Sequence, residues 1–296
     1  METSSKSPKV SVVLTTYKRG HILAETIEAI LGQTFADFEL LICDDCSPDE
    51  TERVCRRYEN TDARVHYRRR QKNMGMPKNL NEGILASTGD YVANLHDGDM
   101  FDPMLLEKWS AALDKYPNAA FVFNAYREVD REGKTVHLWR EPLGPCIQGR
   151  VLLEEIYFRR WMFDSPVWGT VMCRRSAYLK AGLFDPRFGY VSDVDMWLRL
   201  AEENEVAYVA EPLIGLPTTE ALPKSWKGVP GSEQIRTQVE RMFLEARIRH
   251  NRGRPGRLIL ELMRHGAFVA MARSYRVACR VKARLRRETR GKDPSQ

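Results

Sequence analysis

Tyr91–Pro103 reads YVANLHDGDMFDP. Tyr91, Val92, Ala93 and Leu95 have the apolar character of a buried strand. The strand closes on two carboxylates one residue apart, Asp97 and Asp99, with Gly98 between them. Pro103 suits the first turn of a new helix. Two acids at the end of a buried strand cost free energy through repulsion and desolvation unless a cation or hydrogen-bond donors offset it. A hard divalent cation, Mg2+ or Mn2+, takes carboxylate and phosphate oxygens together. On these residues alone a plain acidic turn, where Asp and Gly are common, is as good a reading.

Upstream, Val10–Thr15 (VSVVLT) is a continuous β-branched run, as in a strand buried on both faces. Ile22, Leu23, Ile27, Ile30 and Leu31 follow at helical spacing. Phe38–Cys43 (FELLIC) is a second strand, and Asp49 stands where it would cap the helix Glu50–Tyr58. Arg64–Tyr67 and Pro77–Ala86 give a third strand and helix, with Gly89 ending the latter. Strand and helix alternate at short intervals, which means βαβ units and a parallel sheet. In such sheets ligands bind at the carboxyl ends of the strands, so the polar clusters after the first, second and fourth strands converge on one crevice.

Downstream, the pattern predicts a helix at Met104–Tyr116, a strand at Ala119–Asn124 and a hairpin within Val129–Trp139. Val151–Phe158 is amphipathic, and a strand is expected within Val167–Cys173, then a short helix, Arg174–Ala181, ended by Gly182. Asp193–Glu203 is a helix with Met196, Trp197, Leu198 and Leu200 inward, followed by two short strands, Val206–Val209 and Leu213–Leu216. The expected organisation is a flexible N-terminus at 1–8, a catalytic domain at 9–216 with halves 9–100 and 101–216, a loop or lid at 217–231, and a basic helical extension at 232–296. Pro217–Gly231 is rich in Pro, Gly, Thr, Ser and Lys, and its Trp226 offers one large apolar face for stacking on a sugar or nucleotide. Helices are expected at Glu233–Arg249, Arg257–His265 and Ala270–Arg287, with NRGRPG at 251–256 as a breaker.

Hydrophobic residues make up 43% of the 296 and charged residues 29%, as in an ordinary globular protein. No apolar run reaches the ~20 residues of a membrane span, and METSSKSPKV has no apolar signal core. Six unevenly spaced cysteines suggest reduced thiols and a cytoplasmic setting. Cys43 and Cys46 form a C-x-x-C, a weak zinc or redox signal without a second ligand pair. The net charge of +6 is carried by the last stretch, where from Arg252 to Lys292 basic residues outnumber acidic ones several-fold. Leu258, Ile259, Leu262, Met263 and Phe268 are among the apolar residues between them. Such helices could lie on an anionic membrane surface, at the inner face of the membrane. The alternative is that their apolar side packs on the catalytic domain or on a second copy in a homo-oligomer. The absence of an aromatic-interleaved basic motif argues against nucleic acid.

Three further clusters bear on the crevice. Thr15-Thr16-Tyr17 offers hydroxyls and an aromatic face after the first strand, and Asp44-Asp45 offers carboxylates after the second. Lys78 stands in the first turn of a helix, where a phosphate could be bound. Each has a bland reading: a strand-end cap, turn chemistry around Ser47-Pro48, a solvated lysine. Asp193 and Asp195 lie two apart at a helix start, as a general base or as acids favoured by the helix dipole.

The order VSVVLTTYKR, FELLICDDCSPDET, NMGMPKNLNEGI, TGDYVANLHDGDMFDP and CRRSAYLKAGLFDPRFGYVSDVDMWLRL resembles the family 2 glycosyltransferases of GT-A fold. The resemblance covers about Lys9 to Leu216. It implies an α/β fold, a Rossmann-like, mostly parallel sheet flanked by helices, here with a C-terminal helical extension. It further implies an inverting transferase of the hexosyl or N-acetylhexosaminyl class. The donor would be a nucleotide sugar, usually a uridine one, and the acceptor a hydroxyl on a glycan, a lipid-linked glycan or a small molecule. A divalent cation, Mn2+ or Mg2+, would assist. Thr15 and Tyr17 fall where the family lines its nucleoside pocket, Asp45 where it meets the uracil ring, and Lys78 where many members have an arginine. Asp97 and Asp99 match the D-x-D that holds ribose and the metal–diphosphate. Asp193 matches the catalytic base. His96 takes the usual first Asp position, and Ser192 replaces the usual Glu before Asp193.

Two other functions fit less of the chain. A sugar-phosphate nucleotidyltransferase would want a glycine-rich phosphate loop after the first strand, where this chain has TTYKRGHI. A non-catalytic nucleotide-sugar-binding or scaffold protein of the same fold would have no need of the acids retained here.

Overall fold

The computed structural model describes residues 7–130, 132–157, 167, 169–218, 233–260, 262–263 and 266. The first half alternates as expected: β1 Val10–Thr16, α1 Gly20–Leu31, β2 Phe38–Asp44, α2 Thr51–Thr61, β3 Val65–Arg69, α3 Met76–Ala86 and β4 Tyr91–His96. β1 runs parallel between β2 and β4, its Val10 paired with Phe38 on one side and Tyr91 on the other. β3 joins the outer edge of β2, also in parallel. The carboxyl ends of β1, β2 and β4 therefore share one rim of the sheet.

The second half gives β5 Met100–Phe101, α4 Leu105–Lys115, β6 Ala119–Val129, β7 Thr135–Trp139, β8 Cys146–Gln148, α5 Gly149–Val151, β9 Val171–Arg174, α6 Arg175–Ala181, α7 Ser192–Glu203, β10 Glu205–Pro217 and α8 Glu233–His250. The described strands form one ten-stranded sheet, ordered β3-β2-β1-β4-β9-β6-β10-β5, with β7 on β6 and β8 on β10. β9 is antiparallel to both β4 and β6, so β6 again points its carboxyl end at the same rim.

Several boundaries differ from those read off the sequence. The two expected strands after α7 are one, β10, because bulges at Val209/Pro212 and Pro212/Ile214 absorb Pro212 without breaking the pairing to β6. β9 starts at Val171 rather than Val167; ahead of it the Gly169 carbonyl accepts from the Asn94 side chain and the Thr170 hydroxyl donates to Asp99. β6 continues past Asn124 to Val129 to meet β7 in the expected hairpin. α2 starts at Thr51, with Asp49 accepting the Thr51 N–H and hydroxyl and the Gly20 N–H from just ahead of it. The amphipathic segment after α5 winds as a π-helix over Leu152–Tyr157.

The sheet has an apolar layer on each face. On one, Leu14, Ile42 and Leu95 pack with Leu23 and Ile27 of α1 and with Leu105, Leu106 and Trp109 of α4. On the other, the ring of Phe121 meets Trp197 of α7 at 5.4 Å, and Trp197 meets Phe184 edge-on at 5.8 Å. Each such side chain, wholly withdrawn from water, contributes about 1.5–3 kcal/mol.

The chain divides into two compact units, Met1–Val239 and Glu240–Gln296. Among the described residues no helix is long and apolar enough to cross a membrane. Beyond Thr218 the expected lid, with Trp226, lies outside the described residues, as does most of the basic tail after His250.

Candidate active site

The site grows from the rim where β1 and β4 end side by side. Thr15 pairs with Cys43 on one side and His96 on the other, so its side chain sits between the two strand ends. Thr16, one residue on, turns to the opposite face and donates its hydroxyl to Asp97 Oδ2 at 2.9 Å. Gly98 has φ 88°, the left-handed conformation that lets the two acids flank it, and its N–H donates to Thr26 Oγ1.

Asp97 and Asp99 are only partly countered. Arg19 Nε lies 3.7 Å from Asp97 Oδ1, with side-chain exposures of 24% and 13%. Thr170 donates its hydroxyl to Asp99 Oδ2 at 3.0 Å. Burial pushes the Asp97 carboxyl up to about 6, against the pull of the Thr16 hydroxyl and Arg19. It pushes Asp99 up to about 8, with the Asp97 charge adding to the rise and the Thr170 hydroxyl opposing it. Burial drives His96 down to about 4, which leaves its imidazole neutral near pH 7.

The second wall comes from Gly169 and Thr170. Asn94, inside β4, donates to the Gly169 carbonyl at 2.8 Å and so pins this segment beside the strand end. A Cβ at Gly169 would fall inside contact distance of His96 Cε1 and 3.1 Å from Asp193 Oδ2. Gly169 is thus the thin partition across which Asp193 reaches the carboxyl end of β4.

The two acids of α7 have separate tasks. Asp195 is 2% exposed and accepts from Arg199 Nε at 2.8 Å, while Arg199 also donates to the carbonyls of Ala181 and Leu183. That pair ties α7 to the end of α6. Asp193 makes no ion pair among the described residues; its Oδ1 accepts the Val194 N–H at 2.8 Å. Burial lifts its carboxyl to about 6, against the Val194 N–H and its own. Tyr190 is exposed, and desolvation together with the charges of Asp193 and Asp99 pushes its hydroxyl up.

At the β1–β2 end of the rim, Asp45 is buried and accepts the N–H groups of Met74 at 2.7 Å and Gly75 at 2.8 Å. Gly75, at φ 84°, opens α3, so Asp45 shapes the loop entering that helix. Tyr17 is 40% exposed, with Lys18 Nζ 5.1 Å over its ring. Lys78 lies exposed in the first turn of α3. Cys43 is buried and its thiol is pushed up to about 12, the behaviour of a packing residue rather than of a redox or zinc ligand.

The structure therefore brings Thr15, Asp97, Asp99 and Asp193 to one place, and sets Asp45, Tyr17 and Lys78 around the β1–β2 end of the rim. Sequence reasoning named Thr16 only as one hydroxyl of the Thr15–Tyr17 cluster, and it missed Arg19, Gly169 and Thr170. Strand alternation could have tied Thr16 to Asp97, since it shares the parity that Asp97 takes on β4. Gly169 and Thr170 carry no motif of their own, and only the antiparallel register of β9 on β4 brings them in.

Two carboxylates one residue apart, short of positive charge and mutually repulsive, are a donor set that suits a hard divalent cation. Among the described residues no group of three or more His, Cys, Asp or Glu side chains is assembled. Remaining positions would have to come from a diphosphate or water, as is usual for Mg2+ and related ions.

The model of the family described as glycosyl transferase family 2 matches residues 11–181. The chain is 31% identical over 209 residues to the putative glycosyltransferase EpsE of Bacillus subtilis, covering 69% of this chain and 70% of that one. It is 25% identical over 217 residues to an uncharacterized glycosyltransferase of Rickettsia typhi, covering 72% of this chain and 65% of that protein, just under two thirds. Among solved structures it is similar in fold to S. aureus TarS 1–349 in complex with UDP-GlcNAc, with TM-score 0.67 and 16% identity over 88% of this chain and 73% of that one. It is also similar to the mannosyltransferase PcManGT of Pyrobaculum calidifontis in complex with GDP-Man and Mn2+, with TM-score 0.55 and 16% identity over 95% of this chain and 81% of that one.

Proposed function

The chain belongs to glycosyltransferase family 2 and has its α/β GT-A fold, and from that premise we propose that it moves a sugar from a uridine diphosphate donor to a hydroxyl acceptor, with inversion and with help from a divalent cation. The observation that carries the reading is the meeting of Asp193 with the end of β4 across Gly169. It supplies a carboxylate without an ion pair among the described residues, facing the strand end that bears Asp97 and Asp99.

In this reading the uridine lies over the β1–β2 end of the rim. Tyr17 and Thr15 line its pocket, and Asp45 meets the base through lone pairs left free by the Met74 and Gly75 N–H groups. Lys78 approaches the phosphates from the first turn of α3. Asp97 holds the ribose side of the diphosphate and shares a cation with Asp99; when bound, that cation would neutralise charge building on the leaving group.

Asp193 then takes the proton of the attacking hydroxyl. A carboxyl lifted to about 6 is ionised near neutral pH and still basic enough to accept that proton. Neutral His96 adds no positive charge that would hold Asp193 in an ion pair. A single displacement, with the hydroxyl entering opposite the departing diphosphate, inverts the anomeric carbon. An α-linked donor then gives a β-linked product.

The test is release of nucleoside diphosphate from a panel of uridine, guanosine and thymidine diphosphate sugars, with Mn2+ and with EDTA. Cation-dependent release from a uridine donor supports the reading. Release from guanosine donors alone would replace the donor, and release undiminished in EDTA would remove the cation.

A further inference from the structure

His96 closes β4 and pairs with Thr15 of β1. Side chains alternate along a strand, so His96 shares a face of the sheet with Asn94. Asn94 donates to the Gly169 carbonyl on that face, and the His96 ring meets Gly169 there as well. Asp97, one residue on, takes Thr16 and Arg19 as its partners. The imidazole is thus left on the side of Gly169 and Asp193.

The point that a Cβ at Gly169 would occupy lies 3.2 Å from His96 Nε2 and 3.1 Å from Asp193 Oδ2. The two atoms are therefore no farther apart than the sum of those distances, and the glycine puts only a hydrogen at that point. One hydroxyl oxygen can bridge two such atoms, at about 2.8 Å from each. Asp193 Oδ1 accepts the Val194 N–H, and it is Oδ2 that faces His96. His96 is half-buried, and among the described residues neither of its ring nitrogens has a hydrogen-bond partner. A polar side chain set into a protein without partners keeps its donor and acceptor for something else.

A single hydrogen bond to Asp193 leaves a hydroxyl free to swing about it, whereas a second contact fixes the oxygen. We propose that His96 positions the attacking hydroxyl, its Nε2–H donating to the same acceptor oxygen whose proton passes to Asp193 Oδ2. An alcohol oxygen has two lone pairs. One accepts from His96, the O–H points at Asp193, and the other lone pair is left to meet the anomeric carbon. As the new C–O bond forms, the proton moves to Asp193. The bond from the anomeric carbon to the diphosphate breaks, with its electron pair leaving on the phosphate oxygen. His96 ends the step unchanged. This rests on the glycosyl-transfer reading above and adds to it the group that orients the acceptor.

The experiment follows nucleoside diphosphate release with Mn2+ and no added acceptor, so that water supplies the attacking hydroxyl. The donor is the nucleotide sugar released fastest in the panel above. The full-length protein is used as wild type, His96→Gln, His96→Met and His96→Ala, and the rise in Tm caused by Mn2+ is measured on each. Gln and Met have nearly the same shape, and only Gln keeps an N–H donor. His96→Ala lacks the donor and makes no demand on packing, so it replaces His96→Met if that variant does not fold. His96→Met and His96→Ala should lower kcat by roughly ten- to hundredfold, the range for a misplaced reacting group, with donor KM and the Mn2+ shift little changed. His96→Gln should recover part of the loss. Equal losses in His96→Gln and His96→Met, a rise in donor KM instead, a lost Mn2+ shift, or kcat within a few-fold of wild type in His96→Ala would overturn the proposal while leaving the transferase reading standing. A wild type that releases nucleoside diphosphate from no donor would overturn the transferase reading, and the proposal with it.

Discussion

A side chain at Gly169 would begin 3.1 Å from Asp193 Oδ2 and would overlap His96 Cε1. No residue other than glycine leaves both groups where they are. Gly169→Ala must therefore displace the His96 ring and crowd the Asp193 carboxylate. A displacement near 1 Å at a reacting group costs on the order of 10²-fold in rate. We expect a loss of that size in turnover with a near-native circular dichroism spectrum; turnover within a few-fold of wild type would show that the contact does not set catalytic geometry.

Asp193 and Asp195 should respond differently to substitution. Asp193→Asn keeps size and hydrogen bonding but removes basicity, and should cut kcat by roughly 10²–10⁴-fold with donor KM little changed. Asp195→Ala leaves Arg199 without its carboxylate inside the protein and should cost about 3–5 kcal/mol of stability. Denaturant melts and steady-state kinetics on the two variants separate the roles. The reverse pattern, with kinetics moved by Asp195 and stability by Asp193, would exchange the assignment.

The pH dependence of kcat/KM follows from the raised carboxyl of Asp193. The base must be ionised, so activity is present above about pH 6 and is lost as the pH falls through it. The sign for stability is opposite: a carboxyl that is harder to ionise folded than unfolded opposes folding when charged, and this cost is relieved as pH falls from about 6 towards 4. An acidic limb near 4, the ordinary carboxylate value, would point to an exposed base elsewhere.

Cation binding should be visible without any substrate. Asp99 and Asp97, held up to about 8 and about 6 by burial, are destabilising when ionised, and protonation relieves that as the pH falls below those values. At pH 8 saturating Mn2+ should raise Tm by a few degrees, since a ligand of the folded state stabilises it by mass action. Asp99→Asn should itself raise Tm in EDTA and abolish the Mn2+ shift. An unchanged Mn2+ shift in that variant would move the ion to another site.

The first half of the chain was legible in the sequence because its strands are buried on both faces and show it. VSVVLT, FELLIC and YVANL are continuous apolar runs between turn residues, and each became a strand. The second half was less so. β10 looked like two strands because Pro212 interrupts its pattern, although the bulges around it keep the pairing. Asp97, Asp99 and Asp193 could be picked out because carboxylates at strand and helix ends are conspicuous. Gly169 and Thr170 could not, because their importance comes from the antiparallel insertion of β9 beside β4, which is not local in the chain.

The bonds from Met74 and Gly75 to Asp45 bear on the thermodynamics of donor capture. They fix the loop ahead of α3 before any nucleotide arrives. Fixing a residue's backbone costs about 1–2 kcal/mol in lost conformational freedom, and here folding has already met that cost for two residues. Nucleotide binding should then show a smaller unfavourable entropy by calorimetry than in Asp45→Ala, whose loop would have to order around the ligand.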